Sequence, residues 1–306
     1  MEHERGNPPH DEGQDVRRAL LALVALLVAG GLALPAGAAL PPLIPVLPPP
    51  LGPAPPPSPT PKPTPDPSRA PAPTPAPTAA PADRWALLVG VTAYRGKVAD
   101  TVGGAADARL VRDVLLKHGW RSDRIRLLTD DQATGRAVAD GLSWLQANSS
   151  ARTFSVFHYS GHVKQRDGHE FLWPVDNAYI VDTEVSRVLK ANRGTSWTNI
   201  SGCEAAGFDE GLASSRHLFT ASSKVTEKSY EDPRTGFSVW SGMLFDEGLR
   251  DKAADRDGDG KVSVNEAFEY AAPRAATYTK NQKPHGQQTP QRRGGNGSLN
   301  LAAPRI

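Results

Sequence analysis

Apolar residues along this chain alternate between short continuous runs and helical spacings. Residues 85–91 (WALLVGV) are almost entirely apolar, which is typical of a strand buried on both faces of a parallel sheet. In residues 105–118 the apolar side chains recur three and four positions apart, the spacing of an amphipathic helix that Gly119 can end. The same patterns predict further strands at 125–129, 153–159, 196–200 and 217–221, and further helices at 135–147 and 183–191. Strands that alternate with helices predict an α/β fold with a mostly parallel central sheet flanked by helices.

A long apolar stretch near the N-terminus predicts export. Residues 1–18 form a polar tail that ends in two arginines, and residues 19–40 follow without a charged side chain. As a helix this stretch would be about 33 Å long, enough to cross a bilayer. It is either a signal peptide with an Ala-Gly-Ala cleavage site at 36–38 or an uncleaved signal anchor. Both alternatives place the C-terminal part outside the cytoplasm, secreted or membrane-anchored, and only an uncleaved 19–40 would contact the membrane.

Composition separates a spacer from a folded domain. Twenty of the 29 prolines lie in residues 41–82, which lack aromatic side chains and carry almost no charge, so this stretch predicts a disordered linker. Residues 83–291 are long enough to bury a core as one domain, whereas the Gly- and Arg-rich residues 292–306 predict a disordered tail. The net charge is +2 and no basic run alternates with aromatic residues, so nucleic acid is not expected as a partner.

Two loops of similar composition follow neighbouring predicted strands. One ends in His162 and the other in Cys203, the only cysteine of the chain. Sites in parallel sheets form beyond the carboxyl ends of strands. An imidazole there can accept the proton of a thiol nucleophile and later protonate a leaving amine, while backbone N–H groups hold the developing oxyanion. The residues alone therefore suggest a catalytic pair, and a structural role for both side chains stays open as the alternative.

Four sequence motifs give this arrangement a family resemblance. They are WALLVGVTAY at 85–94, GAADA at 104–108, FHYSGH at 157–162 and GCEAAG at 202–207. Together they resemble the caspase-like cysteine peptidases, in their bacterial metacaspase branch, over residues 84–291. The resemblance implies a caspase-like fold and a protein or peptide substrate. It also implies that Cys203 attacks the peptide carbonyl while His162 transfers protons, with no cofactor in the chemistry.

The sequence departs from the family pattern beside both members of this pair. Val163 stands where such enzymes usually carry glycine; its N–H, with that of Cys203, would form the oxyanion hole if its backbone stays in an ordinary region. Ser201 stands where metacaspases usually carry the aspartate that receives a basic P1 side chain, and serine cannot replace a carboxylate there. Asp176 and Glu204 are the other acids that could line a substrate pocket. These departures leave an alternative function, a catalytically inactive, calcium-binding interaction module tethered outside the cell.

Residues 255–266 (DRDGDGKVSVNE) fit the twelve-residue loop of an EF-hand, with Gly260 at the sharp turn. The predicted oxygen ligands are Asp255, Asp257, Asp259, the Lys261 carbonyl and Glu266. EF-hand loops usually pair, and these 306 residues contain no second one. A single loop predicts weak Ca²⁺ binding, on the order of 10⁻⁴–10⁻³ M, with a structural or activating role. The alternative is a solvated acidic turn that caps a helix.

Other histidines and glutamates have simpler interpretations. His158 lies inside a predicted strand, four residues before His162, and is expected to belong to the core. His169 follows a charged loop and is expected to be exposed, so these histidines do not predict a zinc site. Glu227 and Glu231 are interpreted as surface charge that could border a substrate cleft.

Overall fold

Buried parallel strands form the centre of the fold, in a computed structural model that describes residues 83–283, 286–295 and 299–301. The strands of this part of the chain are β1 Asp83–Gly90, β2 Ile125–Thr129, β3 Thr153–Ser160, β4 Val163–Arg166, β5 His169–Leu172, β6 Ile180–Val181, β7 Thr195–Ser201, β8 His217–Ala221, β9 Glu231–Asp232, β10 Phe237–Ser238 and β11 Gln291–Gly294. Six of them form the central sheet of the described residues, in the order β11-β8-β7-β3-β1-β2. All neighbours pair in parallel except β11, which is antiparallel to β8.

Helices cover both faces of this sheet. They are α1 Gly104–Lys117, α2 Gly135–Ala147, α3 Asp182–Lys190, α4 Val239–Ser241, which continues as a π-helix over Gly242–Arg250, and α5 Val264–Asn281. Successive side chains of a strand point to opposite faces. Accordingly Leu88 packs with α1, the π-helix and α5 on one face, whereas Leu87 packs with α2 and α3 on the other. Every predicted strand and helix listed above is confirmed as an element of that type, with end points that differ by a few residues at most.

Three sets of short strands were not predicted, namely β4-β5-β6, β9-β10 and β11. A three-stranded antiparallel sheet, β4-β5-β6, follows His162 in a stretch interpreted as a charged loop, and its Gln165 and Arg166 are exposed. The predicted disordered tail from residue 292 is wrong for residues 292–294, because they belong to β11. The backbone of β11 covers the edge of β8, and Arg293 forms an ion pair with Asp209 at 3.0 Å. Backbone pairing of a polar segment leaves no apolar period in the sequence, so composition does not reveal it.

The predicted tail, export stretch and linker over residues 1–82 lie outside the described residues, as do residues 284–285, 296–298 and 302–306. Within the part of the chain that is described, no helix combines the length and apolar character needed to cross a membrane.

The start of α1 contacts the end of β1 through two glycines. A Cβ atom on Gly90 would lie 2.2 Å from the Gly104 carbonyl oxygen, and one on Gly104 would lie 2.1 Å from the Val91 carbonyl oxygen. Neither contact has room for a methyl group. The two backbones therefore touch, and this contact sets the height of α1 at the carboxyl edge of the sheet.

Replacing Gly90 by alanine tests this contact. We expect Gly90→Ala to lower the free energy of unfolding by about 1–3 kcal/mol, because backbone atoms must move apart. Gly242→Ala is the matched control, since the nearest atom to its added methyl would be the Phe237 Cβ at an ordinary 3.7 Å. Thermal unfolding of both variants measures the difference, and equal Tm values would contradict the close approach.

Candidate active site

The ends of β3 and β7 bring the two predicted catalytic residues onto adjacent strands. The strands pair in parallel with Ser160 opposite Ser201, and the Gly161 N–H donates to the Ser201 carbonyl at 3.1 Å. His162 and Cys203 each follow two residues after that pair. A Cβ on Gly202 would lie 2.8 Å from the Gly161 carbonyl oxygen, so the two loops are in direct contact. The shared register thus places the imidazole and the thiol at the same edge of the sheet.

Hydrogen bonds hold the His162 ring and define its tautomer. Its Nε2 lies 2.8 Å from the Ala99 carbonyl oxygen. A carbonyl only accepts, so Nε2 carries the proton and the neutral ring leaves Nδ1 as the proton acceptor. The ring packs against Tyr94, with centroids 4.7 Å apart, and against Trp173 at 5.8 Å. The His162 N–H also donates to the Tyr94 hydroxyl at 2.7 Å, and burial raises the pKa of Tyr94 to about 12, which keeps that hydroxyl neutral.

Serines at the end of β8 hold the loop that carries Cys203. The Gly202 N–H donates to Ser222 Oγ at 3.0 Å, and the Ser222 and Ser223 hydroxyls donate to the Gly202 carbonyl at 2.9 and 3.0 Å. Glu204, directly after the cysteine, has a left-handed backbone with φ of 49°, a conformation that costs a non-glycine residue about 1–3 kcal/mol. These serines and the turn at Glu204 define the position of the thiol.

Burial controls the protonation of Cys203. The side chain is partly buried, and this desolvation raises the pKa of the thiol above its ordinary value. A backbone hydrogen bond from Ser229 lowers the thiol pKa in opposition, and the nearby Lys228 ammonium acts in the same direction. Because the net shift is upward, the resting group is a thiol and becomes a nucleophile only when a base removes its proton.

Val163 is the first residue of β4 and offers its N–H at the same edge of the sheet. It lies opposite Leu172 of β5, and the Trp173 N–H donates to the His162 carbonyl at 3.2 Å. In this antiparallel pattern the Val163 N–H points away from β5. Since Val163 has the extended backbone of a strand, the left-handed conformation that valine resists is not required.

The predicted pocket acids have partners elsewhere in the fold. Asp176 accepts from the N–H of Gly135, at the start of α2, at 2.9 Å and from the nearby Ala178 N–H at 3.3 Å. The Glu204 carboxylate lies 3.2 Å from the Lys228 ammonium. Each carboxylate therefore has a partner within the described fold.

A buried carboxylate that was not among the predicted site residues lies beneath the strand ends. Asp107 of α1 is fully buried and accepts from Ser160 Oγ at 2.6 Å and from the Ser238 N–H at 3.1 Å. The Ser238 hydroxyl in turn lies 2.9 Å from the hydroxyl of Ser201, which is also buried. Burial raises the pKa of Asp107 to about 7, and its serine partners oppose that shift. A signal was present in the sequence, because Asp107 precedes the apolar Leu110 by one helical turn and so lies on the buried face.

Glu227 and Glu231 are not free surface charges. Glu231 accepts from the Gly103 N–H at 2.6 Å, at the start of α1, and Glu227 accepts from the Thr289 N–H at 2.7 Å. Both carboxylates therefore join segments that are distant in sequence, and the surface interpretation is wrong.

The acidic loop brings three predicted metal ligands together. Asp255, Asp257 and Asp259 each place an oxygen atom within 4.8 Å of the others. Gly260 has φ of +79° at the turn, and its N–H donates to the Asp255 carboxylate at 3.0 Å. Glu266, in the first turn of α5, forms a capping box with Ser263, as the alternative of a helix-capping turn predicts. The Lys261 carbonyl lies between these groups along the loop, and its N–H donates to Asp259 at 2.7 Å.

Histidines other than His162 have separate surroundings. His158 is buried, accepts from the Asn199 amide at 2.9 Å, and burial lowers its pKa to about 3, so the prediction of a core histidine is confirmed. His169 is half-exposed and lies 3.1 Å from Asp182. Among the described residues, a second group has donor atoms close enough together to hold a metal ion, and it consists of His169, Asp182 and Glu210.

The fold and the two strand-end loops define an α/β protein with a histidine and a cysteine at the carboxyl edge of a parallel sheet. The sequence model of the caspase domain matches residues 83–283, and the chain belongs to that family. Metacaspase-3 of Arabidopsis thaliana is 33% identical over 123 residues, which cover 34% of each chain. Metacaspase-1 of Lodderomyces elongisporus is 36% identical over 120 residues, which cover 32% of this chain and 26% of that one.

The matches span about a third or less of the length of these curated relatives. The crystal structure of a Geobacter sulfurreducens protein superposes with a TM-score of 0.51 at 14% identity, covering 73% of this chain and 95% of that one, and shows the fold alone. The caspase-domain match and the metacaspase relatives place the chain in a family of cysteine peptidases.

Asp107 gives the free energy of unfolding a defined pH dependence. Its folded-state pKa of about 7 lies above the ~3.9 of an unfolded aspartate, so the folded state binds the proton more tightly. This stabilisation is complete below about pH 4 and is lost as the pH rises through about 7. Urea unfolding of the wild type at several pH values should show the free energy of unfolding falling by an amount on the order of 4 kcal/mol as the pH rises through this range. The Asp107→Asn variant should not show this fall.

Asp113→Asn is the control for this measurement, because Asp113 is an exposed aspartate of the same helix. It should keep the pH dependence of the wild type. If Asp107→Asn keeps it as well, Asp107 is not the titrating group.

Proposed function

We propose that this chain is a caspase- or metacaspase-like cysteine endopeptidase, of the bacterial metacaspase branch, in which Cys203 and His162 form the catalytic dyad. The observation that carries the proposal is the bond between His162 Nε2 and the Ala99 carbonyl. This bond leaves Nδ1 as the basic atom of the ring. The ring follows the end of β3, and the neighbouring strand β7 ends just before Cys203, the only cysteine of the chain. Burial raises the thiol pKa, so such a base is required.

The reaction follows from these positions. His162 Nδ1 takes the proton of the Cys203 thiol, and the sulfur attacks the peptide carbonyl to form a C–S bond. The N–H groups of Val163 and Cys203 stabilise the oxyanion. His162 then gives the proton to the leaving amine as the C–N bond breaks, which leaves an acyl-enzyme. The same imidazole then deprotonates a water molecule, whose oxygen attacks the thioester carbon. The C–S bond breaks, the carboxylic acid product leaves, and the imidazolium returns the proton to sulfur.

For substrate selection, Asp107 is a better candidate than the acids predicted from the sequence. Ser201, at the expected specificity position, is buried against Ser238, and Asp107 lies beyond that hydroxyl pair. A basic P1 side chain that reached Asp107 would replace donors from serine with a charge-assisted bond and would lower the raised pKa of this carboxyl.

The acidic loop is proposed as a Ca²⁺ site. Three carboxylates within 4.8 Å of one another repel in the absence of a cation, and oxygen donors at this spacing suit a hard divalent ion. When bound, calcium would neutralise Asp255, Asp257 and Asp259, with the Lys261 carbonyl and Glu266 completing the shell. Its role is structural or activating and lies outside the peptide-cleaving chemistry.

Residues 19–40 are proposed to export the catalytic part, which would be secreted or membrane-anchored outside the cytoplasm. Extracellular calcium concentrations suit the weak affinity of a single loop. The alternative function is an inactive calcium-binding module, favoured by Ser201 in place of the family's specificity acid.

The dyad is tested on the full chain with fluorogenic peptides carrying Arg, Lys or Asp at P1, in the presence and absence of calcium. We expect cleavage after a basic residue, and losses of about 10³-fold or more in kcat/KM for Cys203→Ala and His162→Ala. His118→Gln, a histidine at the opposite end of α1, is the control and should keep the activity. Cleavage by Cys203→Ala would refute the dyad. If none of the peptides is cleaved and iodoacetamide does not label Cys203, the result would favour the inactive module.

The calcium site is tested by thermal unfolding during a calcium titration. At ten times Kd the ion should stabilise the folded state by about 1.4 kcal/mol, and Asp257→Asn should abolish the rise in Tm. Asp251→Asn removes an exposed carboxylate just before the loop and should preserve the rise. An unchanged Tm for the wild type at 10 mM calcium would remove the proposed site.

A further inference from the structure

Residues 299–301 lie alongside the acidic loop. Asn300 forms an antiparallel bridge with Ser263, and the Val264 N–H donates to the Leu299 carbonyl at 2.9 Å. Ser263 is the ninth residue of the loop and also the N-cap of α5. This short pairing therefore joins a segment distant in sequence to the point where the loop becomes a helix.

The same segment is anchored in the core of the domain. Leu301 is fully buried, and its carbonyl accepts from Trp120 Nε1 at 2.9 Å and from the Arg84 guanidinium. Trp120 follows α1 and Arg84 belongs to β1. Because residues on both sides of the bridge have fixed partners, Asn300 is held beside the loop.

A lone EF-hand loop leaves a backbone edge without a partner. Its extended part, around the buried Val262, presents N–H and C=O groups that another strand must pair with or water must solvate. Since the sequence contains no second loop, that partner has to come from elsewhere. Leu299 and Asn300 occupy this edge.

Asn300 is also one of the residues that line the pocket at the loop. Asp257, Asp259, Glu266 and Asn300 line the same cavity, together with Asn265. The Asn265 Oδ1 atom is buried and has no hydrogen-bond partner among the described residues. Amide oxygens join carboxylates in calcium shells, so Asn300 brings a residue of the right chemical class to the pocket from outside the twelve-residue motif.

We propose that residues 299–301 take the place of a second calcium loop, by pairing with Ser263 and Val264 and by adding the Asn300 amide oxygen to the calcium pocket. This inference rests on the calcium site proposed above. Calcium binding and docking of residues 299–301 are then coupled, and each strengthens the other by the same factor. Through Leu301, the coupling reaches β1 and the end of α1.

Calorimetric calcium titrations of two shortened chains test the segment. A chain that ends after Gly295 lacks it, and we expect at least about tenfold weaker calcium binding, within the usual range of coupling. A chain that ends after Leu301 is the matched control and should bind like the full chain. In the full-length protein, Asn300→Ala keeps the backbone bridge and should weaken binding several-fold through the lost oxygen.

Amide hydrogen exchange of the intact full chain gives a second measurement that needs no truncated protein to fold. Calcium should slow exchange in residues 255–266 and, by reciprocity, in residues 299–301. Slowing in the loop alone, or equal Kd values for the full chain and the chain ending after Gly295, would overturn the coupling and leave the calcium site intact. An unchanged Kd for Asn300→Ala would overturn the ligand role. A full chain that binds no calcium and shows no slowing in the loop would overturn the calcium site and this inference together.

Discussion

The parallel pairing of β3 with β7 is the constraint from which the candidate site follows. Two strands in register end at the same height, so the residues that follow Ser160 and Ser201 must meet at one edge of the sheet. Gly161 and Gly202 allow the two loops to touch there, because a Cβ on Gly202 would collide with the Gly161 carbonyl. Neither loop needs to be long or unusual. The sheet supplies the positions, and the loops supply an imidazole and a thiol.

A fully buried carboxylate at this edge has to be compensated. Asp107 accepts from Ser160 at the end of β3 and from Ser238 in β10, and Ser238 reaches Ser201 at the end of β7. The resulting network joins α1 to both strand ends. Since an unpaired polar group in the interior costs about 1–3 kcal/mol, the network also opposes movement of one element without the others. Glu231 adds a second connection to α1 through the Gly103 N–H.

The acidic loop is joined to the central sheet by packing, because Ala254, Val262 and Val264 belong to the same core cluster as α1. The π-helix and α5 cover the face that α1 also covers, and residues 299–301 connect the loop to Arg84 and Trp120. Any stabilisation of the loop by an ion therefore acts on the layer that positions α1. The acidic loop and α1, which carries Asp107, therefore belong to one packed layer.

Local patterns determined much of this protein. Apolar runs and helical spacings predicted the parallel strands, the main helices and the strand-end positions of His162 and Cys203, since the burial of each face repeats at the period of the backbone. Short polar strands such as β4 and β11 escaped prediction, because only their backbones pair. The tertiary structure alone decided which groups meet: the Ala99 carbonyl binds His162 across 63 residues, and Glu231 reaches Gly103 across 128. Strand register and helix packing create such contacts, and no local sequence period contains them.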